Sequence, residues 1–295
     1  MEENVGISFP SKTGAAKVSV LSNSVLVVTK LVVGVFTGSV SIISEAAHSA
    51  VDLIAALIAY YAVKTSDQKP DGNHAYGHGK IENLSGAVEA VLIIVAALWI
   101  VVEASQKLYI HEAPKDLEYG IAIMGVSIIV NFLVSRKLFS VAKITQSHAL
   151  EADALHLQAD VLTSIGVLVG LVAIKITGLY WLDPAIAIAV ALIIFKAGYE
   201  MTKKSMRELA DIALPDEEVN LIQEIIGEHP LVKDYHRLRT RRSGSIRIVD
   251  VHIRLEPDLH LEQTHTVCDE IETRIRALFS PCDVVIHQEP CDRAV

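Results

Sequence analysis

Cysteine is scarce in this 295-residue chain: there are three, Cys268, Cys282 and Cys291, all beyond residue 267. An odd number with no C-x-x-C pair excludes a disulfide framework and favours a reducing, cytosolic setting for that stretch. No His-Glu-x-x-His occurs, nor any comparable zinc-and-water constellation with a general base, which argues against a membrane metalloprotease. Basic charge is also short, with 26 Lys and Arg against 35 Asp and Glu and a net charge of -9. Most of the excess falls on residues 207–295, where 18 acids face 11 bases. That balance argues against nucleic acid and fits a domain that meets cations. Met1 to Thr13 is polar and lacks a basic region leading into a short apolar segment with a small-residue cleavage site, so the first apolar helix is expected to remain in the mature chain.

What the chain does have is apolar length. Hydrophobic residues make up 51% and mean hydropathy is +0.40, too high for an ordinary soluble protein. Crossing a bilayer takes roughly 20 mostly apolar residues per helix. Six segments qualify: Val18 to Phe36, Val40 to Val63, Leu84 to Leu108, Tyr119 to Leu138, Ala152 to Ile176 and Trp181 to Tyr199. An even number of spans puts both termini on one side. Lys12, Lys17, Lys64, Lys69, Lys80, Arg136, Lys137, Lys143, Lys203, Lys204 and Arg207 flank the spans on that side, against Lys107, Lys115 and Lys175 on the other. The positive-inside rule therefore expects cytoplasmic termini, with the cell inner membrane as the expected location. The drop in apolarity near Arg207 divides the chain into a six-span bundle at 1–206 and a cytosolic domain at 207–295.

In the second domain, Asp216-Glu-Glu218 ahead of Val219, Leu221, Ile222, Ile225 and Ile226 predicts an amphipathic helix. Alternation predicts strands at Val232 to Arg241 and Ile246 to Leu255, joined at Ser243-Gly244. A helix at Leu261 to Phe279 and a strand at Asp283 to His287 complete a small α+β sandwich of order αββαβ.

Inside the apolar runs the chain carries the same pattern twice: His48 four residues before Asp52, and His156 four before Asp160. That spacing puts imidazole and carboxylate on one helical face. Ionisable groups at membrane depth need partners, and the partner for one pair is the other. Two imidazoles and two carboxylates make a four-ligand cage for a borderline divalent cation, above all zinc. The plainer alternative is a helix-to-helix hydrogen bond, though two copies with identical spacing favour the ion site. An imidazole must be neutral to bind metal, so proton and cation compete, and proton antiport is the expected driving force.

Two further clusters stand outside the spans. Asp71, His74 and His78 lie within eight residues of a glycine-bearing loop, either a metal site or a solvated loop. His236, His252, His265 and His287, with Gln288 and Glu289, occur in or beside the three strands and the second helix of the tail, either as surface residues or as a metal site. Cys268, one turn beyond His265, is either a further ligand or a small core residue.

The chain resembles the cation diffusion facilitator family, in its bacterial zinc/proton antiporter form. The likeness rests on Gly38-Ser39, His48-x-x-x-Asp52, His74-Ala-Tyr-Gly-His78-Gly-Lys80, Glu151-Ala-Asp-Ala-Leu-His156-x-x-x-Asp160 and His287-Gln288-Glu289. The resemblance implies six transmembrane helices and a metallochaperone-like cytosolic domain. It also implies a transport site at His48, Asp52, His156 and Asp160, a loop site at Asp71, His74 and His78, and a binuclear zinc site in the tail near a homodimer contact. Lys80 and Asp211 match positions that interlock where membrane and soluble parts meet, and tail metal is expected to regulate the membrane helices. Relatives often have Asp where His48 stands and Asp where Glu289 stands. The expected activity is export of divalent cations, Zn2+ foremost, in exchange for protons by alternating access, with no enzyme chemistry and no organic cofactor. Fe2+, Cd2+, Co2+ or Mn2+ export is the alternative cargo, and a non-transporting metal sensor the alternative class. Polar residues concentrated at one level, rather than along a continuous pore, favour a carrier over a channel.

Overall fold

The computed structural model describes residues 11–37, 40–109, 117–179 and 181–291. Gly38 and Ser39, part of the resemblance, lie outside them. The chain divides into two compact units, 1–206 and 207–295, each described by itself.

The first unit is helical. Its helices are α1 (Lys12–Thr37), α2 (Val40–Ser66), α3 (Lys80–Tyr109), α4 (Leu117–Thr145), α5 (His148–Thr177) and α6 (Leu182–Leu209). All six are long and apolar enough to cross a membrane. Several run past the apolar segments that predict them: α3 begins at Lys80 rather than Leu84, α4 ends at Thr145 rather than Leu138, and α6 ends at Leu209 rather than Tyr199. The extra turns are polar and are held by side-chain pairs such as Lys204 Nζ to Glu151 Oε2 at 2.7 Å, which hydropathy does not register.

Small residues let the helices approach closely. Ala15 and Ala16 of α1, Ala62 and Val63 of α2, Leu138 and Ala142 of α4, and Ala149, Leu150, Ala154 and Leu157 of α5 form one core. Ile93 and Ala97 of α3 pack with Ile194 of α6 and with Leu155, Ala159 and Leu162 of α5 in another. Gly34 shows how tight the α1–α2 contact is, since a Cβ there would stand 2.9 Å from Ile43 Cγ1. Leu21, Val28, Val95, Trp99, Ile129 and Leu192 point outward and exposed, as a lipid-facing surface requires. At one end Glu82 gathers α1, α2 and the α4–α5 turn: it accepts from Lys12 Nζ at 2.8 Å, from Ser66 Oγ at 2.6 Å and from Ser147 Oγ.

The second unit runs α7 (Asp216–Gly227), β1 (Asp234–Ser243), β2 (Ile246–Leu255), α8 (Leu261–Leu278) and β3 (Cys282–Pro290). β1 and β2 form an antiparallel hairpin; β3 lies parallel to β2, and α8 is the crossover a parallel pair needs. Ile222, Ile225 and Ile226 of α7, Val249, Val251, Ile253 and Leu255 of β2, Val267, Ile271 and Ile275 of α8, and Val284 of β3 make the core. The two-residue period of a strand then sends Asp250, His252 and Arg254 to the opposite face of the sheet.

Candidate metal sites

Within the bundle, α2 and α5 bring the two His-x-x-x-Asp pairs together. Ligand atoms of His48, Asp52 and Asp160 lie within 4.8 Å of one another. His156 completes the group through Nε2, 3.2 Å from Asp52 Oδ1. Asp52 is 5% and His156 8% exposed, and Asp160 Oδ2 has no hydrogen-bond partner among the described residues. Tetrahedral zinc, with bonds of about 2.0–2.1 Å, needs its donors roughly 3.4 Å apart, so a small closure of these side chains would form the shell. Beside the cage stands a residue outside the repeated motif: Lys30 of α1, 6% exposed, donates to Ser49 Oγ at 2.9 Å and lies near enough to Asp160 to act on its charge. A lone lysine in the middle of an apolar run was the available signal.

The loop between α2 and α3 folds around Asp71. Its Oδ1 accepts from the backbone N–H of Asn73 at 2.8 Å and of His74 at 2.7 Å, and those bonds, His74 foremost, hold the carboxyl below its ordinary value. Gly77 takes φ +79°, a conformation that favours glycine, and its N–H closes the turn on His74 O at 2.9 Å. The turn sets the His74 and His78 rings 4.4 Å apart, with His74 Nδ1 3.5 Å and His78 Nε2 3.4 Å from the Asp71 oxygens. His78 is buried while Asp71 and His74 are exposed.

In the tail, register rather than sequence spacing builds the third cluster. His236 of β1 pairs with His252 of β2, which pairs in turn with His287 of β3, so three imidazoles form a row across the sheet. Ring centroids are 5.2 Å apart for His236 and His252 and 4.6 Å for His252 and His287. Glu289 serves all three: Oε1 is 2.8 Å from His252 Nδ1 and 3.7 Å from His287 Nε2, and Oε2 is 3.4 Å from His236 Nε2. The bond to His252 is the main reason its carboxyl is held below its ordinary value.

Two of the expected tail ligands lie elsewhere. Gln288 is one residue out of phase with His287 and Glu289 and so faces the helical side, where its Oε1 accepts from Cys268 Sγ at 3.1 Å. His265 is exposed on α8, pairs with Asp269 at 3.7 Å and shares an open pocket with Leu261, Glu262 and Gln288. Cys268 is a buried member of the core, with its thiol pushed up by burial and by Glu272 and Asp269.

Six membrane-capable helices followed by an αββαβ domain, with His and carboxylate clusters among them, define a class: a multi-pass membrane transporter of metal cations. The chain matches the family model "Cation efflux transmembrane domain" over residues 16–210 and "Cation efflux protein, cytoplasmic domain" over residues 214–291, and it belongs to the cation diffusion facilitator family of divalent-metal efflux transporters. It is 34% identical to the cation-efflux pump FieF of Serratia proteamaculans over 91% of this chain and 89% of that one. The cation-efflux pump FieF of Escherichia fergusonii is 35% identical over the same shares, 91% and 89%. Among solved structures, the zinc form of the transporter CzrB is 32% identical, covers 29% of this chain and 98% of that one, and has a TM-score of 0.26.

Proposed function

We propose that the chain exports Zn2+ from the cytoplasm in exchange for protons, by alternating access to the cage of His48, Asp52, His156 and Asp160. The observation that carries this reading is the convergence of two imidazoles and two carboxylates from α2 and α5, with Asp52 and His156 buried, Asp160 half-buried and His48 exposed. The donor chemistry supports zinc, since an N/O set with two imidazoles suits it better than the harder manganese or magnesium. Proton exchange follows from the same nitrogens, which bind either a proton or the metal.

In this reading residues 1–206 are the transmembrane domain, and both termini are cytoplasmic in a cell inner membrane, as the basic residues flanking α2, α3, α4 and α6 favour. Residues 207–295 are a cytosolic domain that binds metal through His236, His252, His287 and Glu289, pairs with its counterpart in a homodimer and regulates transport. His265 and Gln288, set apart from that row, enter it only through the family resemblance. Asp71, His74 and His78 form a loop site at the cytosolic mouth.

The test is metal uptake into proteoliposomes with an imposed pH gradient, comparing zinc, cadmium, iron(II), cobalt and manganese. Zinc should be carried best, collapse of the gradient should stop it, and His156→Ala or Asp160→Ala should abolish it. The double change His48→Asp with His156→Asp should remove the preference for zinc over manganese. Transport that survives His156→Ala, or that ignores the gradient, overturns the reading.

A further inference from the structure

Two acids buried in the bundle take no part in the cage. Glu89 of α3 and Asp153 of α5 are each 1% exposed. Ala90 and Ala152, both fully buried, pack in one cluster with Met201 and bring α3 and α5 together at this level, close enough for the Asp153 charge to act on Glu89. Ser19 of α1, also fully buried, lies beside Asp153.

Ser85 Oγ donates to Glu89 Oε1 at 3.2 Å. Glu89 Oε2, both oxygens of Asp153 and Ser19 Oγ have no hydrogen-bond partner of acceptable geometry among the described residues. The basic group that acts on both acids is His156, whose Nε2 already lies on Asp52. Buried carboxyls with orphaned oxygens must be neutralised, by a proton or by a cation held between them, and two that face each other can share one divalent ion. The donors here are all oxygen, a set that holds a divalent cation without the imidazole preference of the cage.

Position gives the pair a place in the path. Along α5, at 1.5 Å per residue, Asp153 lies about 4.5 Å from His156 toward the end at which Ser147 and the α2–α3 loop meet. Glu89 stands about 10 Å along α3 from Glu82, which marks that same end. We propose that Glu89 and Asp153, with the Ser19 hydroxyl, form a second site for a divalent metal cation, between the loop-bearing end of the bundle and the His48/Asp52/His156/Asp160 cage. The ion is held there before it enters the cage, a role that rests on the cage being the transport site.

Equilibrium dialysis of Zn2+ against the purified full chain in detergent counts the sites. The near-isosteric double variant Glu89→Gln with Asp153→Asn should bind one zinc fewer per protomer than the unsubstituted chain. Asp160→Asn, with Glu89 and Asp153 intact, should separately lose the cage zinc. A double variant that loses more than one zinc has lost its fold, and the single change Glu89→Gln is then counted in its place. An unchanged count in the variants of Glu89 and Asp153 overturns the proposal and makes the two acids proton carriers or packing groups. An unchanged count in Asp160→Asn instead strikes the cage reading alone, so the two failures are distinct.

Discussion

A carboxylate with no exposed surface persists in the bundle because three donors from other segments meet it. Glu82 takes bonds from Lys12, Ser66 and Ser147, and Lys12 also reaches Asp67 at 2.7 Å. Removing one partner of a buried ion pair leaves the other charge uncompensated, at a loss of about 3–5 kcal/mol. Glu82→Gln should therefore lower stability by about 3 kcal/mol, the low end because Lys12 keeps Asp67. A clear fall in the thermal midpoint of the detergent-solubilised chain is the expected result, and an unchanged midpoint contradicts it. None of this was legible in the sequence. His48, Asp52, His156 and Asp160 announced themselves by a repeated spacing of four, whereas Glu82 and Lys30 are single charges bonded to other segments, and no spacing sets Glu89 of α3 near Asp153 of α5.

Between elements, one acid fastens a helix to a hairpin. Arg242 and Arg247 face each other across β1 and β2, a like-charge pair that would splay the strands. Glu218, in the first turn of α7, lies between them: Arg242 Nη2 donates at 2.6 Å, and Arg247 Nε and Nη2 donate at 2.7 and 3.2 Å. Burial alone would push the Glu218 carboxyl up, but Arg247 and Arg242 outweigh it and hold the carboxyl below its ordinary value. A lowered carboxyl adds stability above its unfolded-state value, and that stability is lost as pH falls through the folded one. Glu218→Gln should destabilise the tail by about 2 kcal/mol at neutral pH, between an exposed and a buried pair. Urea titrations of residues 207–295 should show this gap closing below the ordinary carboxylate range, and a gap that persists in acid removes the charge from the explanation. Element order and the bounds of β2 were readable from periodicity, because alternation and amphipathic spacing are local. The cross-strand register that lines up His236, His252 and His287 is not local, and it also decides that Gln288 turns away while Glu289 turns in.

At the scale of the whole chain, the tail has what it needs to fold by itself. Ile222, Ile226, Ile253, Ile271 and Ile275 are fully buried within residues 207–295, and burying such a side chain stabilises by about 1.5–3 kcal/mol. A domain this small is marginal without a staple, and the row of imidazoles on its outer face offers one in metal. A ligand that binds the folded state alone, at a concentration of 100 times its Kd, adds about 2.7 kcal/mol. For a domain of this size that is a rise of roughly 10–20 °C in Tm. The isolated fragment should melt cooperatively, and zinc should raise its midpoint by that order. His252→Ala, which removes the middle ring of the row, should leave the metal-free midpoint close to the parent and abolish the rise, since His252 is only partly buried and outside the core. His265→Ala should leave the rise largely intact, because His265 stands apart on α8. Zinc and protons compete for the same imidazole nitrogens, so acidification should shrink the rise before it unfolds the fragment. If His265→Ala rather than His252→Ala removes the rise, the metal is held at the pocket of α8 and Gln288, and the sheet row is a hydrogen-bonded surface feature instead.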